Sequence, residues 1–136
     1  MEFISVQKGA NRLPGIMALG FIASFSETLA LSIIVAKGVT PLVACLASEE
    51  EDHILAATVW TLGQIGRHST EHARAVCDAN VLPKLLGLFM AEKSSEDLRA
   101  KCKRAITFIV QKVSNMESLD PLLHQAPPGI LKHVVA

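Results

Sequence analysis

Apolar residues in the last long periodic run recur every three or four positions. Leu98, Cys102, Ala105, Ile106, Ile109 and Val113 fall on one face of a helix. Two capping-box patterns, SEEE from Ser48 to Glu51 and SSED from Ser94 to Asp97, each open such a run. Ser26 and Ser69 are N-cap candidates for short helices ending near Lys37 and Asn80. Gly38 and Asn80 sit where a tight turn needs a left-handed residue. Pro41 and Pro83 then fall in the first turn of the next helix, where a missing N–H costs little.

The pattern repeats. The run LGFIASFSETLALSIIVAKGVTPLVACL begins at Leu19, and LGQIGRHSTEHARAVCDANVLPKLLGL begins at Leu62. Leu19, Gly20, Ile22, Ser26 and Ala30 match Leu62, Gly63, Ile65, Ser69 and Ala73 at a shift of 43 residues, falling to 42 at Pro41 and Pro83. A weaker third copy, RAITFIVQKVS from Arg104, aligns with WTLGQIGRHS from Trp60 at a shift of 44. A period near this length belongs to arrays of two- or three-helix units. The expected unit is a short first helix, a second helix opening near a proline, and a long third helix.

On this division residues 11–25 are the third helix of a partial unit, 26–68 and 69–115 are complete units, and 116–136 begin another. In that last segment Ser114 to Glu117 is expected to cap a short helix, and Pro127 and Pro128 to form a turn before the next. The expectation is one all-α array, a right-handed α-solenoid truncated at both ends. Its end faces would be apolar, near residues 1–25 and 115–136, and are expected to self-associate.

Composition narrows the function. Half of the 136 residues are hydrophobic, yet only 4% are aromatic and none is tyrosine, so the core rests on Leu, Ile, Val and Ala. The formal net charge of zero argues against nucleic acid and against an anionic membrane as partners. The apolar region from Leu13 to Ala47 is interrupted at Glu27 and Lys37, and neither uncharged piece reaches the roughly 20 residues of a spanning helix. Cys45, Cys77 and Cys102 are scattered, which suits core thiols in a reducing compartment rather than a zinc site.

His68 and His72 are four apart, but Ser69 starts a helix between them, and no carboxylate or cysteine joins them at ligand spacing. His53, His124 and His133 are isolated, and no nucleophile elbow, P-loop or dinucleotide fingerprint occurs. The expectation is therefore no catalysis, no cofactor and no metal. Gly63 and Gly66 lie inside a helix, where each costs roughly 1 kcal/mol against alanine, and Gly20 repeats the first of them. Close approach of a neighbouring helix is the expected reason.

The stretch GVTPLVACL, an acidic turn, and AATVWTLGQIG resemble the armadillo repeat. The stretches NRLPGIMALGFIASFSETLA, EDHILAATVWTLGQIGRHSTEHARAV, SSEDL and APPGILKHVV are similar to armadillo proteins of the axonemal central pair, as a slice of their later repeats. The resemblance implies a scaffold in the central apparatus of cilia and flagella, needed for motility and located in the cytoskeleton. It implies other central-apparatus proteins as partners.

In that family the third helices line a concave groove, where a tryptophan and an asparagine one turn later recur. Trp60 takes the tryptophan place and Gln64 the asparagine place; Met17 and Phe21 precede them, and Arg104 and Phe108 follow. These six are the candidate protein-binding stripe, with Trp60 expected half-buried at the groove. The alternative implied by the fold is an importin- or catenin-like adaptor for an extended peptide, weakened by the missing asparagines. Arg99, Lys101, Lys103 and Lys112 form a candidate basic face for an acidic partner such as a tubulin tail.

Overall fold

The computed structural model describes residues 12–113. The expected unit over 116–136, with its cap and proline turn, lies outside them, as do His124, His133 and the apolar C-terminal end. The described residues form seven helices and no strand: α1 (Leu13–Phe25), α2 (Glu27–Val35), α3 (Val39–Ser48), α4 (Asp52–Gly66), α5 (Thr70–Asp78), α6 (Val81–Met90) and α7 (Glu96–Lys112). Short helices α2 and α5, mid-length α3 and α6, and long α4 and α7 alternate as the sequence period requires.

Local chemistry sets most boundaries. Ser26, Ser69 and Ser95 have extended backbones, and each hydroxyl accepts the N–H three residues on, from Leu29, His72 and Leu98. Each therefore satisfies one donor that the first helical turn leaves without a partner. The cap of α7 is thus Ser95; the Ser94 hydroxyl instead donates to Leu88 O at 2.7 Å.

Two expectations are corrected. Ser48 does not cap α4, because α3 continues to it and its hydroxyl donates back to Ala44 O. The acidic turn is organised by Glu49, whose Oε1 accepts the Glu50 and Glu51 N–H groups and whose Oε2 lies 3.7 Å from Arg12. The left-handed residue between α2 and α3 is Lys37 (φ 62°), not Gly38 (φ −72°). Lys37 N–H donates to Ile34 O and Gly38 N–H to Ile33 O, so the chain closes in a Schellman turn one residue earlier than the glycine suggests. Asn80 (φ 60°) fills the equivalent place after α5.

α4 lies at the centre, between α1 and α7, and is buried along most of its length from Ile54 to Gly66. Its Ile54, Val59, Leu62 and Ile65 join Ile16, Leu42, Leu85, Leu98, Ile106 and Ile109 in one continuous core. Each such side chain contributes about 1.5–3 kcal/mol on burial. All six residues assigned to the inner face of α7, from Leu98 to Val113, are buried.

The glycines mark where helices approach. A Cβ at Gly63 would lie 3.0 Å from Ala105 Cβ and 3.2 Å from Ala105 Cα, and one at Gly66 would lie 2.8 Å from Ile109 Cγ1. α4 and α7 therefore touch almost backbone to backbone. One at Gly20 would lie 2.1 Å from Trp60 Cζ3, so the indole of α4 rests on the bare backbone of α1.

No single helix among the described residues is long and apolar enough to cross a membrane; the neighbouring apolar helices α2 and α3 bend by 75° at their junction.

Candidate functional site

The stripe runs across α1, α4 and α7. Trp60 is half-buried at its centre, held from behind by Gly20. Phe21 meets the indole edge-on, with ring centroids 5.2 Å apart and planes at 68°. On one side, Met17, Ala56, Ala57 and Trp60 line a cleft of about 280 Å³ with His53, Asp97 and Lys101. On the other, Trp60, Gln64, Arg104 and Phe108 surround a small notch floored by Gly63 and Ala105. All six stripe residues thus join one surface through Trp60, and the chain period that separates them becomes a lateral step between neighbouring long helices.

Polar groups on this surface differ in how far they are committed. The Gln64 Oε1 accepts from Arg67 Nε at 2.9 Å, which fixes the amide along its own helix. Lys101 pairs with Asp97 at 3.5 Å, one helical turn away. Arg104 is exposed, and among the described residues it makes no hydrogen bond or ion pair. His53, Asp97 and Lys101 belong to the cleft and were not assigned to it from sequence; they sit near the start of α4 and α7, and the period relating those starts is the signal that places them together.

The basic face is corrected. A helix turns about 100° per residue, so Lys101 and Lys112 lie on one flank of α7 while Arg99 and Lys103 lie on the other. Arg99 is further withdrawn, because its guanidinium donates to Ala91 O at 2.7 Å and Glu92 O at 3.0 Å, where α6 ends. The four cations do not form one surface. Of the four, Lys101 lines the groove clefts, beside Arg104 of the stripe.

A second cluster binds the units to each other. Arg67 Nη2 donates to Ser24 O at 2.7 Å, and the His68 ring nitrogen Nε2 meets Ala23 O. His72, 2% exposed, has Nε2 3.0 Å from Glu27 O and Nδ1 2.7 Å from Ser69 Oγ. A carbonyl only accepts, so Nε2 carries a proton; in the neutral ring Nδ1 then accepts from the serine hydroxyl. Arg67 and His68 therefore cap the last carbonyls of α1, while His72 ties down the backbone at the start of α2. Thr61 donates to Ile16 O in the same direction. His68 and His72 are on different elements, with ring centroids 5.6 Å apart.

Of the thiols, Cys102 is fully buried and its pKa is pushed up to about 12 by desolvation. Cys77 is raised to about 11, first by burial and then by the charge of Asp78. Both remain protonated at neutral pH and neither faces the groove.

No protein-family model matches the chain. It is 59% identical over 91 residues to sperm-associated antigen 6 of Homo sapiens, a match that covers 67% of this chain and 18% of that relative. The Mus musculus protein of the same name is 58% identical over the same length. The chain therefore spans under a fifth of the curated relatives it matches. Among solved structures, a designed armadillo repeat protein in complex with the peptide (KR)4 superposes with a TM-score of 0.73 over 98% of this chain and 59% of its own, at 20% identity. The three-helix period, the stacked long helices and these likenesses together make the chain an armadillo-repeat protein of the sperm-associated antigen 6 type.

Proposed function

We propose that the chain is a non-enzymatic scaffold segment of the central apparatus of the ciliary or flagellar axoneme, needed for motility, and that it holds partner proteins along the α1–α4–α7 groove. The observation that carries this is the 59% identity to sperm-associated antigen 6 over two-thirds of the chain. The groove supports it: an aromatic centre, Trp60 with Phe21, is flanked by an exposed arginine, and these are residue types that anchor protein interfaces.

The importin-like alternative is weaker. The solved neighbour is in complex with a basic peptide, whereas Arg104 puts an exposed positive charge on this groove, where Lys101 is paired with Asp97. The Gln64 carbonyl oxygen already accepts from Arg67, which takes one of its two lone pairs. An acidic or apolar segment, including an acidic tubulin tail, is better matched.

The test is affinity capture from flagellated cells, with the wild-type chain beside Trp60→Ala/Arg104→Ala and beside Arg104→Glu, which alters only an exposed side chain. Capture of central-apparatus proteins by the wild type and their loss from both variants is the expected result. Retention by both variants would move binding off the groove, and capture of nuclear-import cargo peptides instead would favour the adaptor.

A further inference from the structure

The SEEE motif from Ser48 to Glu51 is left over once the fold is assembled. It has the pattern of a helix cap, yet Ser48 ends α3 and its hydroxyl donates back to Ala44 O. Of the acidic residues that follow, Glu49 holds the turn, and Asp52 accepts the Ser95 N–H at 2.7 Å. Glu50 is exposed, and its carboxylate makes no hydrogen bond or ion pair among the described residues. The Glu51 carboxylate, also exposed, lies 3.9 Å from the exposed His53. Neither charge is needed to hold the turn. The other described serines are placed differently. Ser26, Ser69 and Ser95 cap helices, so the residues after them are wound into helix. Ser94 is buried, and Ser24 and Ser32 are followed by apolar residues. Ser48 is exposed, stands at a helix end and is followed by three acidic residues in non-helical chain.

We propose that Ser48 is a phosphorylation site, modified by a serine kinase that reads acidic residues on the C-terminal side of its target. Such an enzyme pairs basic groups with those carboxylates along an extended substrate, so the charge pattern sets its choice. Glu49 (φ −87°, ψ 142°) and Glu51 (φ −83°, ψ 124°) are already extended. Ser48 itself has to leave only the last turn of α3, where helices fray. In the transfer, Ser48 Oγ attacks the γ-phosphorus of ATP. The new O–P bond forms as the bond to the β,γ-bridging oxygen breaks. ADP leaves with that electron pair, and the hydroxyl proton passes to the base of the kinase. The fold has a place for the product. Arg12, 3% exposed, directs Nη1 to Ser48 Oγ at 3.4 Å. A phosphate on that oxygen meets a cation already in position, and a guanidinium holds a phosphate more strongly than a hydroxyl. Ser48 also lines a cleft of about 530 Å³ between the α3–α4 and α6–α7 turns, with the exposed Lys93 in its lining. These two cations offset the repulsion from Glu49 and Glu50 and from the negative end of the α3 dipole.

The test incubates the folded 136-residue chain with a purified serine kinase of the casein kinase type, Mg²⁺ and ATP, and maps the phosphate by fragmentation mass spectrometry. Glu50→Gln/Glu51→Gln is run beside the wild type, because both side chains are exposed and the substitution leaves the fold intact. The expected result is phosphate on Ser48 of the folded wild type. In the double variant the initial rate at Ser48 should fall several-fold, with unchanged helical circular dichroism. A wild type left unmodified at Ser48 would overturn the proposal. Modification of Ser48 only after unfolding in urea would do the same, because the folded chain would then hide the hydroxyl. An equal rate in the double variant would also overturn it, since the carboxylates would not be what the kinase reads.

Discussion

Glycine has opposite consequences at two places in this chain. At Gly20 the Trp60 ring occupies the space a methyl group would need, so Gly20→Ala must displace the indole. A loss of about 1–3 kcal/mol is expected, as for other overpacked sites, with a shift in tryptophan fluorescence. Gly87, inside α6, has nothing within 4 Å of an added Cβ and is exposed. There alanine removes only the entropic cost of glycine, and Gly87→Ala is expected to stabilise by about 0.5–1 kcal/mol. Urea unfolding of the two variants checks both signs; equal effects would mean that helix propensity, not the indole contact, governs Gly20. The sequence shows the glycines and their recurrence, but not which of them a ring covers. That depends on the lateral step between α1 and α4.

Among the elements, helix existence and helix order could be read from the chain, because serine caps, helical spacing and prolines act within one or two turns. Ser26 and Ser69 are local signals of this kind. Ser48 misled for the same reason, since its pattern is a good cap but α3 reaches it first. The basic stripe misled because charges close in sequence are spread around a helix. Arg67, His68 and His72 were invisible as linkers, since their acceptors lie 43 to 45 residues away. The hint was that this distance is the repeat length itself. Their role makes a testable statement about α1. Arg67→Ala removes a charged donor from Ser24 O, and amide exchange in the last turn of α1 should accelerate while that in α6 stays unchanged. Uniform acceleration would mean that Arg67 stabilises the molecule globally instead.

For the whole molecule, one core runs through both units, and its thiols report on its integrity. Cys77 and Cys102 ionise near 9 when exposed but near 11 and 12 in the fold. Raised folded values mean that the folded state holds these protons longer. Their contribution is complete below about pH 9 and is lost as pH rises through 11 to 12. Stability should therefore fall on the alkaline side, measured as a lower urea midpoint at pH 10 than at pH 8. Alkylation of both thiols at pH 8 should be slow until the chain unfolds, whereas fast labelling of Cys102 in the folded state would mean that the α4–α7 contact opens locally. The candidate groove was legible only as a list of six residues. Its two clefts, the edge-on contact of Phe21 and the pairing of Lys101 with Asp97 come from the stacking of long helices, which no local pattern encodes.

The capping of α1 by Arg67 and His68, with His72 anchoring the start of α2, also bears on mechanical load. A pull that separates the first unit from the second must strip these backbone carbonyls of their donors at the same moment as it opens the core. The joint should then be brittle rather than elastic. It should carry tension with little extension and let go in a single rupture, and replacing His68 and His72 with alanine should lower that rupture force in an optical-tweezer trace. In the axonemal role proposed above, such a joint would transmit bending along the array instead of absorbing it.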